Sequence, residues 1–249
     1  MKQRLFNTIV ITVSFGIAIG IFYGILGQAE KDSVLHQIFA GGPLVIALMA
    51  LSMLTITYII ERLLSLGKAQ GKGSLATFLS SMIKNLNAGE IEAAIQDCDK
   101  QRGSLANIIK TGLERYLQIR NESAMDKKTK IAEVKRVIEE STMLEMPILE
   151  KNLISLSTIA SISTMVGLLG TVLGMIRSFA ALSKSGGAVD AAQLSLGISE
   201  ALINTAGGIG LAIVAIVAYN FMTTKIDGMT YMIDETSSTL LENLEAHTK

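Results

Sequence analysis

Two hydrophobic segments of the chain each carry a threonine among small residues. Residues 153–176 contain Gly-Leu-Leu-Gly-Thr-Val-Leu-Gly with Thr171 inside it, and residues 197–222 contain Asn-Thr-Ala-Gly-Gly with Thr205. Both segments are long enough to cross a bilayer, which takes roughly 20 apolar residues. An unpartnered polar group in lipid is costly, so each threonine needs a reason to be there. Hydroxyls at this depth can order water or an ion.

A stripe of hydroxyls follows the first of these segments. Steps of four and three residues place the following on one helical face: Ser157, Ser161, Thr164, Leu168, Thr171, Met175 and Ser178. One hydroxyl alone is explained by a bond to the carbonyl one turn earlier. Five on one face favour a wet lumen or a helix contact. Five glycines are predicted to serve close helix packing: Gly167, Gly170, Gly174, Gly207 and Gly208.

Further polar residues open the second segment. Glu200 and Asn204 lie one turn apart on one face. An acid within a membrane segment is a functional candidate, but it also fits a helix-start acid stabilised by the helix dipole, and both interpretations stay open. Arg177 is predicted to extend to the outer surface. If the stripe faces a wet lumen, the candidate lining residues of an ion path are Thr171, Thr205, Glu200, Asn204, Thr164, Ser161 and Ser157.

The residue content excludes several function classes. The formal net charge is zero, so no basic surface argues for nucleic acid. His36 and His247 are isolated and Cys98 is the only cysteine, so we predict no catalytic site, no metal site and no cofactor. Threonines do not titrate near neutral pH. If the chain conducts protons, a partner must therefore supply the carboxylate that a proton path usually needs.

Hydrophobic residues make up 49% of the 249 residues and concentrate in four runs, at residues 5–26, 43–60, 153–176 and 197–222. This distribution is typical of a multi-span membrane protein. No strand pattern occurs, so the predicted fold class is all-α, a membrane helix bundle whose long helices extend into a cytoplasmic helical domain. Basic residues concentrate before the first run and between the second and third. The positive-inside rule therefore predicts a cytoplasmic N-terminus, insert and C-terminus.

The runs define the predicted segments along the chain. These are an N-terminal membrane helix or uncleaved signal-like segment (1–29), a periplasmic segment (30–42), a membrane helix (43–60), a cytoplasmic helical domain (61–152), a pore-lining membrane helix (153–182), a periplasmic loop (183–196), a second pore-lining membrane helix (197–222) and a cytoplasmic helical tail (223–249). The first run fits a cleaved signal peptide or a retained helix. Its ridge of Gly16, Gly20 and Gly24, suited to close helix packing, favours retention.

Three further features of the sequence predict details of these elements. Glu61 and Arg62 are predicted to close the second span at the cytoplasmic surface, and Pro147 to mark the entry into the third. A coiled-coil-like seam is predicted in the tail at Met222, Ile226, Met229, Ile233, Thr236 and Leu240.

Two long motifs resemble a known family. Residues 149–160 read Leu-Glu-Lys-Asn-Leu-Ile-Ser-Leu-Ser-Thr-Ile-Ala and lead into the Thr171 segment. Residues 197–206 read Gly-Ile-Ser-Glu-Ala-Leu-Ile-Asn-Thr-Ala, with Ala-Tyr-Asn at 218–220. In this order and topology they resemble the MotA/TolQ/ExbB proton-channel family, and its ExbB members most closely. The likeness covers roughly residues 43–225.

The resemblance implies a channel subunit of a bacterial inner-membrane motor, not an enzyme. It implies a homo-pentamer around a pore lined by the last two spans, with pore threonines at Thr171 and Thr205 and an outer acid at Glu200. It also implies an ExbD-like single-span partner whose aspartate enters the pore, and a TonB-like protein that energises outer-membrane transport. That aspartate is the carboxylate that this chain lacks.

Some alternatives stay open beside this reading. The family commonly has prolines where this chain has Thr164, Leu196 and Val214, so a mechanism that needs proline kinks there is not supported. A TolQ-like subunit of an envelope-maintenance motor, or a gliding or secretion motor, would share the motifs, and the ion could be H⁺ or Na⁺. A non-conducting membrane scaffold is the alternative from another class.

Overall fold

The computed structural model describes residues 2–30, 33–122, 125–184 and 191–247, without the side chains of residues 2–7, 184, 191–192 and 247. Within these ranges the chain is helical and has no strand, which confirms the predicted all-α class. A short 3₁₀ helix, Leu26–Gln28, follows the first helix. The α-helices are α1 Lys2–Gly24, α2 Val34–Ala40, α3 Leu44–Ala69, α4 Leu75–Asn87, α5 Ile91–Gln101, α6 Ser104–Ile119, α7 Lys127–Leu149, α8 Leu153–Lys184 and α9 Ala191–His247.

Four helical stretches of the described chain are long and apolar enough to cross a membrane. They are Thr8–Gln28, Leu44–Ala69, Lys127–Ser183 and Gln193–Ala246. Each covers all or nearly all of one of the four hydrophobic runs, and this confirms the predicted multi-span bundle. Helices α8 and α9 continue without interruption through the three positions Thr164, Leu196 and Val214, where the sequence has no proline.

The chain divides into two compact units. The first comprises Met1–Ile60 and Asn152–Asn220 and contains α1, α2, α8 and parts of α3 and α9. Its buried clusters are small, one formed by Phe22, Leu26 and Val45 and another by Leu54, Tyr58, Leu156 and Ile159. Many large apolar side chains of this unit are exposed instead. Outward-facing apolar residues suit helices that are surrounded by lipid.

The glycine ridge of α1, which the sequence shows to be suited to close helix packing, does not contact another part of the described chain. No atom lies within 4 Å of the β-carbon positions of Gly16, Gly20 and Gly24. The buried face of α1 instead carries Ser14, Ala18, Phe22 and Leu26 beyond its end. These four follow an i, i+4 series, so one turn after another contacts the neighbouring helices, and the glycines lie on a different face.

The second unit comprises Glu61–Lys151 and Phe221–Lys249. Its core joins α4, α5, α6, α7 and the end of α9, with Met82, Ile108, Leu113 and Val134 fully buried. The tail seam predicted from the sequence is confirmed. All six of its residues are buried: Met222, Ile226, Met229, Ile233, Thr236 and Leu240.

Cys98 lies inside this second core and is 2% exposed. Burial, with smaller contributions from the charges of Asp97 and Asp99, raises the pKa of the Cys98 thiol from 9.0 to about 12. The thiolate is the reactive form of cysteine, and its fraction at pH 8 falls roughly a thousandfold for this change.

We therefore expect Cys98 to resist alkylation in the folded protein. Maleimide labelling at pH 8, followed by intact-mass spectrometry, should modify the native chain far more slowly than the denatured chain. A Cys98→Ala, Ser74→Cys variant is the matched control, because Ser74 is exposed and its cysteine should react at once. Equal labelling rates for native wild type and this control would contradict the burial of Cys98.

Arg62 is buried within the second unit. Its guanidinium is 0% exposed and donates to the carbonyl oxygens of Ile148 and Leu149 at 3.3 and 3.2 Å. It also pairs with the Glu61 carboxylate, with a 2.7 Å hydrogen bond from Nε. The last carbonyls of a helix lack partners within it and carry partial negative charge. Arg62 therefore caps the C-terminus of α7.

Pro147 does not mark the entry into the third span. It lies inside α7, which continues to Leu149, and the next helix starts at Leu153. The interruption occurs instead at Asn152, whose φ is +61°. A proline interior to a helix removes one backbone hydrogen bond, but a left-handed residue turns the chain itself, and asparagine adopts that conformation more readily than most residues.

Candidate functional site

Helices α8 and α9 approach closely through glycines. A β-carbon on Gly208 would lie 2.5 Å from the Ser163 carbonyl oxygen, and one on Gly174 would lie 2.6 Å from the Gly197 carbonyl oxygen. The Gly167 position is 3.0 Å from the Asn204 carbonyl oxygen. Backbone atoms form most of this contact, so the two helices are nearer to each other than larger side chains would allow.

The remaining two glycines of the predicted set also lie at helix contacts. Gly170 faces the side chain of Asn204, and there is no space for a β-carbon between them. Gly207 lies on another face of α9, where its β-carbon position is 3.3 Å from Leu48 of α3. The adjacent Gly207 and Gly208 thus allow α9 to contact two different helices.

The hydroxyls of Thr171 and Thr205 meet across this contact. They hydrogen-bond to each other, and both side chains are half-buried. Thr205 Oγ1 also lies 3.1 Å from the Ala201 carbonyl oxygen and 3.3 Å from that of Gly167. Two hydroxyl protons are available, one for the bond between the threonines and one for a backbone carbonyl. The pair therefore keeps acceptor lone pairs free but no donor.

The other hydroxyls of the stripe remain separate from Thr205. Ser157 and Ser161 are exposed, and Thr164 is half-buried. Ser161 bonds to the Ser157 carbonyl and Thr164 to the Ala160 carbonyl, both at 3.3 Å. These are the bonds to the preceding turn that serines and threonines commonly make in membrane helices.

Sequence reasoning missed one buried hydroxyl on α8. Ser163 is 0% exposed and bonds to the Ile159 carbonyl at 2.6 Å, on the face that receives Gly208. It falls outside the four- and three-residue steps of the stripe. The small size of serine in an apolar helix, beside the glycines, was the signal that could have identified it.

Asn204 ties α9 to the turn before α3. Its side chain is 0% exposed, and Nδ2 donates to the carbonyl oxygens of Gly41 at 2.6 Å and of Glu200 at 3.0 Å. Its Oδ1 is buried and has no hydrogen-bond partner among the described residues. Because Gly41 is far away in sequence, no local pattern could have predicted this contact.

Glu200 forms an ion pair that the sequence analysis did not predict. The guanidinium of Arg177 on α8 donates to its carboxylate, so Arg177 is not simply extended into the surroundings. Gly42 covers the same carboxylate: its φ is +74°, and a β-carbon there would lie 2.5 Å from Glu200 Oε1. Glycine adopts this backbone conformation without strain. The end of α8, the start of α9 and the turn before α3 therefore meet at one carboxylate.

The chemistry of this site follows from a small set of polar groups. Within the described ranges, no group of three His, Cys, Asp or Glu side chains could hold a metal ion. Where α8, α9 and the turn before α3 meet, the described residues bring together a hydroxyl pair, a buried amide and an ion pair. These groups can accept hydrogen bonds and order water, but they contain no nucleophile beside a base.

Comparisons with known proteins agree with this chemistry. The sequence profile of the MotA/TolQ/ExbB proton channel family matches residues 100–235, which is more than half of the chain. An ExbB-like biopolymer transport protein of Synechocystis sp. is 30% identical over 183 residues, which are 73% of this chain and 80% of that protein.

Relatives with two different functional names are similar to this chain. Biopolymer transport protein ExbB of Aquifex aeolicus is 36% identical over 115 residues, which are 46% of this chain and 69% of that protein. Tol-Pal system protein TolQ of Pseudomonas aeruginosa is 35% identical over 118 residues, which are 47% of this chain and 51% of that protein.

Proposed function

The chain belongs to the MotA/TolQ/ExbB proton channel family, and from this premise we propose that it is the channel subunit of a proton-driven motor in a bacterial inner membrane. The observation that carries the proposal is the hydroxyl pair of Thr171 and Thr205 between two membrane helices. A path for protons needs polar groups at membrane depth, and this pair provides them where the surrounding side chains are apolar.

The free lone pairs of the two threonines decide what the path can receive. Both hydroxyl protons have acceptors within the chain. The pair can therefore accept a hydrogen bond from water or from a protonated carboxyl group, and it has no proton left for a carboxylate. An acid that reaches the pair is stabilised in its protonated form.

The proton-carrying acid is supplied by a partner in this proposal. The carboxylate of Glu200 already forms an ion pair with Arg177. An ExbD-like single-span protein with an intramembrane aspartate fits the requirement, inside a homo-pentamer of this chain with cytoplasmic termini and insert. Each proton that crosses 100 mV releases about 2.3 kcal/mol, enough to drive a modest conformational step of the partner.

The process that the motor powers is proposed from the relatives' names. An ExbB-like role would energise TonB-dependent outer-membrane transport, and a TolQ-like role would serve the envelope. The ExbB-like relative of Synechocystis sp. matches more of the chain than TolQ of Pseudomonas aeruginosa does, which favours the first. Complementation of strains that lack either system separates the two roles.

Thr171→Val and Thr205→Val are expected to reduce proton flux by about tenfold or more, which corresponds to at least about 1.4 kcal/mol on the limiting step. Valine has the shape of threonine but removes the acceptor oxygen. Flux is measured in vesicles that contain the chain with its single-span partner, with a pH-sensitive dye. Thr158→Val is the matched control, because Thr158 is exposed and its hydroxyl bonds to its own helix at Ile154.

Wild-type flux in both pore variants would overturn the assignment of the path. A chain that purifies as a monomer or open dimer, without a foreign helix enclosed, would contradict the motor and favour a scaffold.

A further inference from the structure

We propose that Arg177 is a positioning residue of the ion path: it neutralises Glu200 and fixes the end of α8 to α9, and Glu200 does not itself carry protons. The inference rests on the proposed function and concerns the regulation of the same site. It reverses the simplest reading of an acid near membrane depth, which is that the acid relays the transported proton.

Burial shows which member of the pair depends on the other. The Glu200 side chain is 12% exposed, whereas that of Arg177 is 54% exposed. A mostly buried carboxylate needs an opposite charge or hydrogen bonds, while a half-exposed guanidinium can be solvated without help. Glu200 therefore depends on the ion pair for its stabilisation more than Arg177 does.

The turn before α3 encloses the carboxylate further. The β-carbon position of Gly42 is 2.5 Å from Glu200 Oε1 and 3.5 Å from the Arg177 guanidinium. The carbonyl oxygen of the preceding Gly41 accepts a hydrogen bond from the side-chain amide of Asn204. Asn204 lies one helical turn after Glu200. A carboxylate held between a cation and a covering turn is poorly placed to exchange protons with a moving partner.

These contacts lead to the threonine pair. The Glu200 carbonyl accepts the Asn204 amide at 3.0 Å, Asn204 faces Gly170, and the next residue is Thr205. A change at Glu200 therefore reaches Thr205 through one turn of α9. Loss of the cation should shift that turn and separate the two hydroxyls.

The physics of buried ion pairs predicts an order among variants. Removal of one partner leaves an uncompensated buried charge, which is strongly destabilising, whereas replacement of both is often nearly neutral. The single variant Arg177→Gln should therefore have a lower proton flux than the double variant Arg177→Gln with Glu200→Gln, although the double variant has lost more charged groups. A proton-carrying Glu200 predicts the opposite, because the double variant has no titratable group.

The experiment measures proton flux per assembled complex, with the partner present, for wild type, Arg177→Gln, Glu200→Gln, the double variant and Arg177→Lys. We expect the proton flux of Arg177→Gln to fall at least about tenfold. The fluxes of the double variant and of Arg177→Lys should stay within about threefold of the wild-type flux. Assembly is quantified by size-exclusion chromatography, so that a loss of folding is not counted as a loss of conduction.

Two results would overturn the proposal. A double variant as inactive as Glu200→Gln would show that Glu200 carries protons, and wild-type flux in Arg177→Gln would show that Arg177 positions nothing. If Arg177→Gln does not assemble, the exchanged pair Arg177→Glu with Glu200→Arg takes its place. Recovered flux in that variant supports the proposal, and absent flux contradicts it.

The proposed function is tested separately in the same vesicles. If wild type conducts protons and Thr171→Val does not, the path exists. The flux of each Arg177 variant is then compared with the wild-type flux. Wild type without flux refutes the proposed function itself. In that case the thermal stabilities of the same variants still test whether the pair couples α8 to α9.

Discussion

Gly208→Ala is expected to disrupt the packing of α8 against α9 and to destabilise the folded protein strongly. The new β-carbon would lie 2.5 Å from the Ser163 carbonyl oxygen and 2.8 Å from the Gly167 Cα. Both are backbone atoms, which cannot rotate away as a flexible side chain would. Overpacking of a close contact typically costs about 1–3 kcal/mol, and backbone contacts lie at the upper end or beyond. The yield and melting temperature of the detergent-extracted chain measure the effect.

Gly210→Ala is the matched control for this substitution. It makes the same chemical change two residues further along α9, where nothing lies within 4 Å of the new β-carbon. Alanine favours a helix over glycine by roughly 0.5–1 kcal/mol. The control should therefore be neutral or slightly stabilising, and equal behaviour of the two variants would refute the close contact between α8 and α9.

Arg62→Met is expected to destabilise the second unit by roughly 3–5 kcal/mol, the usual cost of removing one partner from a buried ion pair. Methionine fills part of the space, but it leaves the Ile148 and Leu149 carbonyls without the donor that Arg62 provides, and it removes the ion pair between Arg62 and Glu61. Denaturant titration of the purified chain, followed by helical circular dichroism, measures the loss. Arg62→Lys should recover only part of it, because an ammonium lacks the planar fork of donors.

Arg136→Met is the control for a charge that lies at the surface. Arg136 is 54% exposed and pairs with Glu133 and Glu140 on its own helix. Exposed pairs of this kind contribute about 0–1 kcal/mol. If Arg62→Met cost no more than Arg136→Met, Arg62 would not be the cap of α7 that the structure indicates.

Much of the architecture could be predicted from hydrophobic runs alone. Residues 153–176 and 197–222 are apolar for longer than a soluble core helix needs, and they lie within α8 and α9, which are long and apolar enough to cross a membrane. The seam from Met222 to Leu240 followed from its periodicity, since residues at steps of three and four share one face. The family likewise followed from long ordered motifs, and the sequence profile confirms it.

Local sequence signals were insufficient where contacts with distant parts of the chain determine the structure. The ridge of Gly16, Gly20 and Gly24 is suited to close packing, but the sequence of α1 does not say what packs against it, and no part of the described chain does. Pro147 weakens a helix without ending it, and the cap that Arg62 places on α7 stabilises the last turn beyond the proline. Propensity is a weak prior that such contacts override.

The sequence by itself determined that the chain is helical and where its long apolar segments lie, and it located Thr171 and Thr205 in two of those segments. Only the tertiary structure decided that the two hydroxyls meet, that Arg177 forms an ion pair with Glu200 and that Asn204 donates a hydrogen bond to the Gly41 carbonyl. The reason is physical. A helical period assigns each residue to a face, but which faces meet depends on the rotation and register of two helices, and these are set by many small contacts that are distant along the chain.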